Sequence, residues 1–154
     1  MARDNLRLRV YLAGPLFTLA ERDFNRQLIA GIQQKASGVE FIVPQNADED
    51  PGLKDCHAKL FRFCIGSVDE ADALVCILDG ADADSGTCIE MGYAYARGKP
   101  MIGIRTDFRG SEDQCVNLMV AGVCAEIISA PSFGTNLDAL SQTAVDALGR
   151  LKID

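Results

Sequence analysis

Five short apolar runs recur along this chain, and segments with helical spacing separate them. Residues 73–78, with the sequence ALVCIL, are uninterrupted apolar residues, which is typical of a strand buried on both faces of a sheet. In residues 16–35, by contrast, apolar side chains recur about once per helical turn. Strands that alternate with helices form βαβ units, so the pattern predicts an α/β fold with a mostly parallel, doubly wound sheet and helices on both faces.

The predicted elements follow one another without a linker or an internal repeat. Strands are predicted over 6–13, 39–43, 73–78, 101–104 and 125–129, and helices over 16–35, 54–71 and 136–151, with one more helix ending at Gly98. Residues 45–53 are acidic and rich in turn formers, which predicts a functional or mobile loop, while residues 115–122 are apolar and ambiguous. A chain of 154 residues can bury one core, so a single domain over residues 1–154 is expected.

Charge and cysteine content narrow the class of partner and the compartment. A net charge of -7 and a pI near 4.7 argue against nucleic acid and against an anionic membrane surface. The first residues carry charges where a signal peptide needs an apolar core, and no apolar run approaches a membrane span, so a cytoplasmic protein is expected. Six cysteines without a CxxC motif predict buried free thiols, and His57 beside Cys56 lacks zinc-site spacing, so no metal site is expected.

Residues 79–100 contain the strongest candidate for a chemical site. A loop rich in aspartate follows the third predicted strand and leads into a helix that carries Glu90. Ligands bind open α/β sheets where a strand ends and the next helix begins, so Asp84 and Glu90 could form a site with two carboxylates. The helix dipole would keep Glu90 ionised, as a nucleophile or base requires. Spacing alone favours an alternative, in which Asp84, Ser85 or Thr87 caps the helix and Glu90 completes a capping box.

A second candidate lies at the end of the first predicted strand, in the sequence YLAGPLF at residues 11–17. Gly14 and Pro15 resemble a phosphate-binding turn, but GxGxxG and a P-loop lysine are both missing, which disfavours a nicotinamide or ATP enzyme. An ordinary strand-to-helix turn explains the same residues equally well. The hydroxyl of Tyr11 could reach a group on a neighbouring loop at the edge of the sheet. Residues 117–119, with the sequence NLM, indicate only the start of a helix.

Taken together, these segments resemble the nucleoside 2-deoxyribosyltransferase family, and the resemblance covers nearly the whole chain. It rests on YLAGPLF at 11–17, DALVCILDG at 72–80, DSGTCIEMGYAYARGKP at 84–100, RTDFR at 105–109 and NLM at 117–119. The family fold is a flavodoxin-like five-stranded parallel sheet, in agreement with the pattern of strands and helices. The resemblance implies an enzyme that acts on deoxynucleosides and nucleobases and needs no cofactor and no metal.

The resemblance also implies roles for particular side chains. Glu90 is expected to attack the anomeric carbon of a 2-deoxynucleoside, Tyr11 to orient it by a hydrogen bond, and Asp84 to bind the sugar hydroxyls. A homo-oligomer is expected, because the family supplies two residues of each site across a subunit interface. The other substrate-binding residues implied are Phe17 beside the base, Gly14 and Gly86 in the two loops, and Asn117 and Met119 from the neighbouring subunit.

One position departs from the family pattern. Many members carry an aspartate, or sometimes an asparagine, that helps to protonate or hold the leaving base, and this chain has Cys64 there. A thiol donates hydrogen bonds weakly and has an ordinary pKa of about 8.5, so it replaces a carboxylic acid poorly. Either another acid serves, for which Asp48 is the candidate, or the range of bases narrows toward purines, which solvent can protonate at N7.

Two other functions stay open from the sequence. Water could intercept the same covalent intermediate, which would make the chain a nucleoside or deoxynucleoside monophosphate N-glycosidase. Relatives that cleave monophosphates carry a serine at the position of Asp84, and an aspartate there would repel a 5′-phosphate, so a free nucleoside is favoured. A nucleotide-binding sensor without turnover is disfavoured, because a sensor does not require the nucleophile Glu90.

Overall fold

The computed structural model describes residues 7–50, 52–53, 56–108 and 116–153, without the side chains of residues 48 and 49. In this part of the chain, five strands form one parallel sheet in the order β2–β1–β3–β4–β5. They are β1 Leu8–Ala13, β2 Val39–Ile42, β3 Ala73–Ile77, β4 Met101–Arg105 and β5 Glu126–Ser129. The strand order reverses between β1 and β3, as in flavodoxin-like doubly wound sheets, which confirms the predicted fold class.

Five α-helices of the described chain cover the sheet. They are α1 Leu19–Lys35, α2 His57–Glu70, α3 Ser85–Ala96, α4 Leu118–Val123 and α5 Leu137–Arg150. Side chains of α1 and α5 pack with Val10 and Leu12 on one face, and side chains of α2, α3 and α4 pack with Tyr11 and Ala13 on the other. Because helices cover both faces, β3 is buried along its whole length, which explains why the run at 73–78 contains no charged residue.

The predicted boundaries agree with the observed ones within three residues, and capping decides the larger differences. Helix α1 begins at Leu19 rather than at residue 16, because Thr18 and Glu21 form a capping box. Thr18 Oγ1 accepts a hydrogen bond from Glu21 N at 3.2 Å, and Glu21 Oε2 accepts one from Thr18 N at 2.7 Å. The apolar spacing that begins at residue 16 therefore overstates the helix by its first turn.

Two segments that the sequence left irregular contain helices. A 3-10 helix, Pro44–Glu49, occupies the first part of the predicted loop at 45–53. Proline suits its first position, where a backbone N–H would have no partner within the helix. The ambiguous segment at 115–122 contains most of α4, which Asn117 caps by accepting a hydrogen bond from Met119 N at 2.9 Å. The helix start predicted at residues 117–119 is thus confirmed.

The described cysteines, at 56, 64, 76, 88 and 124, are free thiols. Among them burial is complete only at Cys76, and Cys115 lies outside the described residues. His57 is an exposed residue at the start of α2. None of the described helices is both long enough and apolar enough to span a bilayer. The described residues contain no group of three or more His, Cys, Asp or Glu side chains that could hold a metal ion.

Candidate active site

The side chains of Tyr11 and Glu90 meet on the face of the sheet that α2 and α3 cover. Tyr11 lies in β1 and is fully buried, and Glu90 lies in the second turn of α3. The Tyr11 hydroxyl donates a hydrogen bond of 2.7 Å to Glu90 Oε1. This bond joins two residues that are 79 positions apart in the chain and that the sequence singles out separately.

Burial dominates the ionisation of Glu90. Removal from water is the largest effect, the hydrogen bond from Tyr11 partly opposes it, and the charge of Asp84 adds to it, so the pKa of Glu90 rises to about 7. The expectation that the helix dipole keeps Glu90 ionised is therefore corrected. Glu90 lies beyond the first turn of α3, where the effect of the dipole has faded.

The same contact keeps Tyr11 in its neutral form. Burial and the negative charge of Glu90 raise the pKa of Tyr11 far above its usual range. At neutral pH its hydroxyl therefore carries a proton and donates it in a hydrogen bond. The hydrogen bond from Tyr11 thus stabilises the ionised carboxylate of Glu90.

Asp84 caps α3 and also faces the site. Its Oδ2 accepts hydrogen bonds from Thr87 N at 3.0 Å and from Thr87 Oγ1 at 3.3 Å. The capping interpretation is therefore correct for Asp84. It is wrong for Glu90, whose side chain accepts a hydrogen bond from Tyr11 and lies outside the first turn. Asp84 and Glu90 line one pocket, so capping and a role in the site are compatible.

A pocket of about 180 Å³ lies beside Glu90. It is smaller than the roughly 300–1,000 Å³ that is usual for sites of small ligands. Its polar side chains include the two carboxylates, and its apolar side chains come from three other segments of the chain. The lining residues are Gly14, Leu16, Phe17, Pro44, Leu60, Cys64, Asp84, Gly86, Thr87 and Glu90.

The loop between β1 and α1 carries part of the apolar lining and is held from two sides. Asn25 is buried in α1, and its Nδ2 donates a hydrogen bond of 3.1 Å to Pro15 O. Gly14 packs on β3 so closely that a Cβ there would lie 2.9 Å from Ile77 Cβ. A larger residue at position 14 would therefore displace the loop that presents Leu16 and Phe17.

Cys64 lines the pocket from α2. Burial raises the pKa of its thiol, and the negative charge of Glu90 raises it further, against a smaller opposite effect of the Tyr11 hydroxyl. The thiol therefore stays protonated at neutral pH and adds no charge to the pocket.

Asp69 links α2 to α3, because its two oxygens accept hydrogen bonds of 2.9 Å from the Tyr93 hydroxyl and from Arg97 Nε.

Three expected site residues do not line this pocket, although one of them, Tyr11, contacts Glu90, and the side chain of a fourth lies outside the described part of the chain. Asn117 and Met119 lie at the exposed start of α4, where Met119 is 76% exposed. The Asn117 side chain caps α4. The backbone of Asp48 belongs to the 3-10 helix, but its side chain is not among the described residues.

Several lining residues were not singled out from the sequence. Leu16 and Leu60 have the apolar spacing of ordinary helix positions, and Pro44 marks only the end of a strand. The position of Pro44 could have indicated a role, because parallel strands end at the same edge of a sheet as their ligands. No signal in the sequence distinguishes Leu60 from a core leucine.

The sequence profile described as Nucleoside 2-deoxyribosyltransferase matches residues 10–119, a range that contains Tyr11, Asp84 and Glu90. A protein of Ureaplasma parvum serovar 3, described as uncharacterised, is 30% identical in an alignment of 98 residues that covers 58% of this chain and 61% of that protein. The chain thus spans about three fifths of the length of the curated relative that it matches.

Three solved structures share the fold. A conserved protein from Enterococcus faecalis V583 is 25% identical, with a TM-score of 0.72 over 94% of this chain and 99% of that one. A 2-deoxyribosyltransferase from Bacillus psychrosaccharolyticus is 18% identical, with a TM-score of 0.65 over 86% of this chain and 90% of that one. A CMP N-glycosidase from Clostridium botulinum is 20% identical, with a TM-score of 0.59 over 88% of this chain and 97% of that one. Since the Nucleoside 2-deoxyribosyltransferase profile matches well over half of this chain, the chain belongs to the nucleoside 2-deoxyribosyltransferase family.

Proposed function

We propose that this protein transfers 2-deoxyribose between nucleobases and that Glu90 is its nucleophile. The observation that carries the proposal is the 2.7 Å hydrogen bond from Tyr11 to Glu90 beside a pocket with a second carboxylate. Membership of the family supports the class of reaction. A carboxylate that one donor orients at a pocket wall is suited to attack on a sugar carbon.

Two displacements account for the transfer. With Oε1 held by Tyr11, Oε2 of ionised Glu90 attacks the anomeric carbon, and the bond from this carbon to the base nitrogen breaks. A deoxyribosyl ester forms on Glu90, while the base leaves with the electron pair and takes up a proton. A second base then attacks the same carbon, the ester bond breaks, and the Glu90 carboxylate is released. Two inversions give net retention.

The burial of Glu90 favours this chemistry. A carboxylate whose pKa is raised to about 7 is poorly stabilised by its surroundings. In the transition state, positive charge develops on the sugar and stabilises the Glu90 carboxylate. The substrate in its ground state carries no such charge and cannot stabilise it. The interaction between Glu90 and the sugar is therefore stronger in the transition state than before it.

We assign Asp84 to the sugar hydroxyls, and a free deoxynucleoside is the proposed substrate. Asp84 Oδ2 accepts a hydrogen bond from Thr87 N, so the chain's own carboxylate occupies the first turn of α3, where a helix would otherwise bind a phosphate. The described lining of the pocket contains no lysine or arginine. A 5′-phosphate would therefore meet two negative charges and no cation among these residues.

Purines are the proposed bases. The Cys64 thiol, with its raised pKa, is a poor donor of a proton to a leaving base. Solvent can protonate a purine at N7 as it leaves, whereas a pyrimidine depends more on an acid of the protein. Asp48 is the proposed alternative acid. The variant Asp48→Ala should then slow transfer, and an unchanged rate would remove Asp48 from the mechanism.

The second candidate function is hydrolysis of the same intermediate by water. The likeness in fold to a CMP N-glycosidase favours it, since the name of that protein describes cleavage of an N-glycosidic bond. The two functions share Glu90 and Tyr11 and differ in what attacks the ester. A site that excludes water favours transfer, and a site open to water favours hydrolysis.

We also propose that a second copy of the chain completes the site. Leu118 and Met119 are each 76% exposed at the start of α4, which is unusual for two adjacent large apolar side chains. The described pocket is small for a nucleoside, so additional walls are needed. Asn117 and Met119 from a neighbouring subunit would supply them.

One incubation separates transfer, hydrolysis and binding without turnover. With deoxyinosine and adenine as substrates, deoxyadenosine indicates transfer, hypoxanthine with free deoxyribose indicates hydrolysis, and unchanged substrates indicate a binding protein. We expect deoxyadenosine. The variant Glu90→Gln should abolish it, whereas Glu126→Gln should not, because Glu126 pairs with Arg150 outside the pocket. Turnover that persists in Glu90→Gln would exclude the proposed mechanism.

A further inference from the structure

The carboxyl ends of β3 and β4 are joined by a buried arginine that lies outside the pocket. Arg105 ends β4 and is 4% exposed. Its guanidinium donates hydrogen bonds of 2.5 Å to Leu78 O and 2.9 Å to Gly80 O. A buried cation is costly unless its donors find acceptors, so an arginine at this position indicates a specific role rather than simple core packing.

Four more hydrogen bonds connect these segments, three of them donated by Thr106 and Asp107 and one donated by Gly80. The Asp79 carboxylate accepts hydrogen bonds from Thr106 N and Thr106 Oγ1 at 2.6 Å and from Asp107 N at 2.8 Å. Asp107 Oδ2 accepts one from Gly80 N at 3.2 Å. Six hydrogen bonds thus connect residues 78–80 with residues 105–107.

The segment held in this way is the start of the loop that leads to the catalytic helix. Gly80 has a φ of +121°, and a Cβ there would lie 2.8 Å from Asp82 O, so the turn requires glycine. Four residues later, Asp84 caps α3, which then carries Glu90. The direction in which the chain leaves the network therefore determines where both carboxylates lie.

We propose that Arg105 and Asp79 are positioning residues, which hold the loop from β3 to α3 so that Asp84 and Glu90 keep their catalytic spacing. The kinetic part of this inference rests on the proposed function. Neither residue lines the pocket of Glu90. Arg105 and Asp79 are also absent from the charges that shift the pKa of Glu90, so their effect is one of geometry. Displacement of a reacting group by about 1 Å can cost about 100-fold in rate.

The variant Arg105→Lys tests the role of the forked guanidinium. Lysine keeps the charge but donates from a single nitrogen, so it cannot hold two carbonyls in the same geometry. We expect kcat of the folded enzyme to fall at least about tenfold. We also expect faster amide hydrogen exchange at Thr87 and Cys88, whose N–H groups bond to Asp84 in the first turn of α3.

A matched control separates positioning from loss of stability. Leu148→Ala opens a cavity on the opposite face of the sheet and should destabilise the protein without changing kcat or the exchange at Thr87. Thr106→Val removes one hydrogen bond to Asp79 at nearly constant shape, and it serves as the second test if Arg105→Lys does not fold. Its kcat should fall about threefold.

Two outcomes would overturn the inference. If kcat of the folded variants equals that of the wild type, the network serves stability alone. If exchange at Thr87 and Cys88 is unchanged, the network does not hold the start of α3. Failure of the proposed function is distinguishable, because wild-type protein would then lack turnover of deoxynucleosides while the exchange measurement would still report on the network.

Discussion

The two largest effects on the ionisation of Glu90 oppose each other. Burial destabilises its carboxylate, and the Tyr11 hydroxyl stabilises it through a hydrogen bond of 2.7 Å. The result is a pKa of about 7, so small changes in either effect change the ionised fraction at neutral pH. A nucleophile must be ionised to attack, and the proposed activity should therefore be sensitive to residues that contact Glu90.

Removal of the Tyr11 hydroxyl should shift the pH dependence of the reaction upward. In Tyr11→Phe the carboxylate of Glu90 loses its donor, so its pKa rises from about 7 by about one unit or more. The midpoint of kcat/KM against pH should move by the same amount. Tyr93→Phe is the matched control, because the Tyr93 hydroxyl binds Asp69 outside the pocket. A common midpoint in both variants would contradict the assigned role of Tyr11.

The same pKa predicts how stability depends on pH. Between the ordinary value of 4.5 and the folded value of about 7, the folded protein keeps the proton of Glu90 and the unfolded chain has lost it. The folded state then binds more protons, so this group makes the free energy of unfolding fall as pH rises, by at most about 3 kcal/mol in total. Below the ordinary value both states are protonated, and the penalty disappears.

Glu90→Gln should remove this dependence. Relative to the wild type, the variant should gain little stability near about pH 4 and about 1–3 kcal/mol near about pH 8. Urea denaturation of both proteins across this range measures the difference, in which the titration of other groups cancels. A difference that stays constant with pH would mean that Glu90 is not buried as an ionisable group.

At the scale of elements, the residue that caps α3 combines a structural task with a proposed functional one. Asp84 caps the helix through Thr87 and lines the pocket with Glu90. Two substitutions separate these tasks. Asp84→Asn keeps an oxygen that can cap, whereas Asp84→Ala loses it and should cost about 1 kcal/mol of unfolding free energy. Both variants should lose transfer activity if the charge of Asp84 binds the sugar.

Denaturation and transfer assays on the two variants decide between the tasks. Full activity in Asp84→Asn would show that Asp84 acts only as a cap, with no role for its charge. Loss of activity at wild-type stability would show that the carboxylate itself takes part. Spacing left open whether Asp84 serves as a cap or as a site residue. Asparagine separates these alternatives because it keeps the capping oxygen and removes the charge.

The elements were predictable because each leaves a local signal. An apolar run such as 73–78 predicts a buried strand, and apolar spacing predicts α1 and α5. Boundaries depended on capping residues such as Thr18, whose contribution is a single pair of hydrogen bonds. The 3-10 helix Pro44–Glu49 was missed because its acidic, turn-forming composition is equally suited to an open loop.

At the scale of the whole molecule, the site depends on contacts between distant segments. Resemblance to a family indicated Tyr11 and Glu90, but no local pattern gives the burial that raises the pKa of Glu90 to about 7. The contribution of Leu60 likewise follows from the packing of α2 and not from its spacing. The network of Arg105 was invisible for the same reason, since a charged residue at a strand end predicts exposure more often than burial.

The proposed completion of each site by a neighbouring subunit predicts complementation between two inactive variants. Glu90→Gln lacks the nucleophile but still presents Asn117 to its neighbour, whereas Asn117→Ala keeps Glu90 and fails its neighbour. In a mixed dimer, one of the two sites would then combine an intact Glu90 with an intact Asn117. Random reassembly of equal amounts should restore transfer to about a quarter of the wild-type value.

The reference mixture for this experiment is Glu90→Gln with Tyr11→Phe. Tyr11 and Glu90 belong to the same site of one chain, so each subunit of a mixed dimer keeps a defective site. The activity of this mixture should therefore equal the average of the two separate variants, unlike that of the Asn117 mixture. Equal activities in the two mixtures, each at its average, would mean that Asn117 serves only its own chain as the cap of α4.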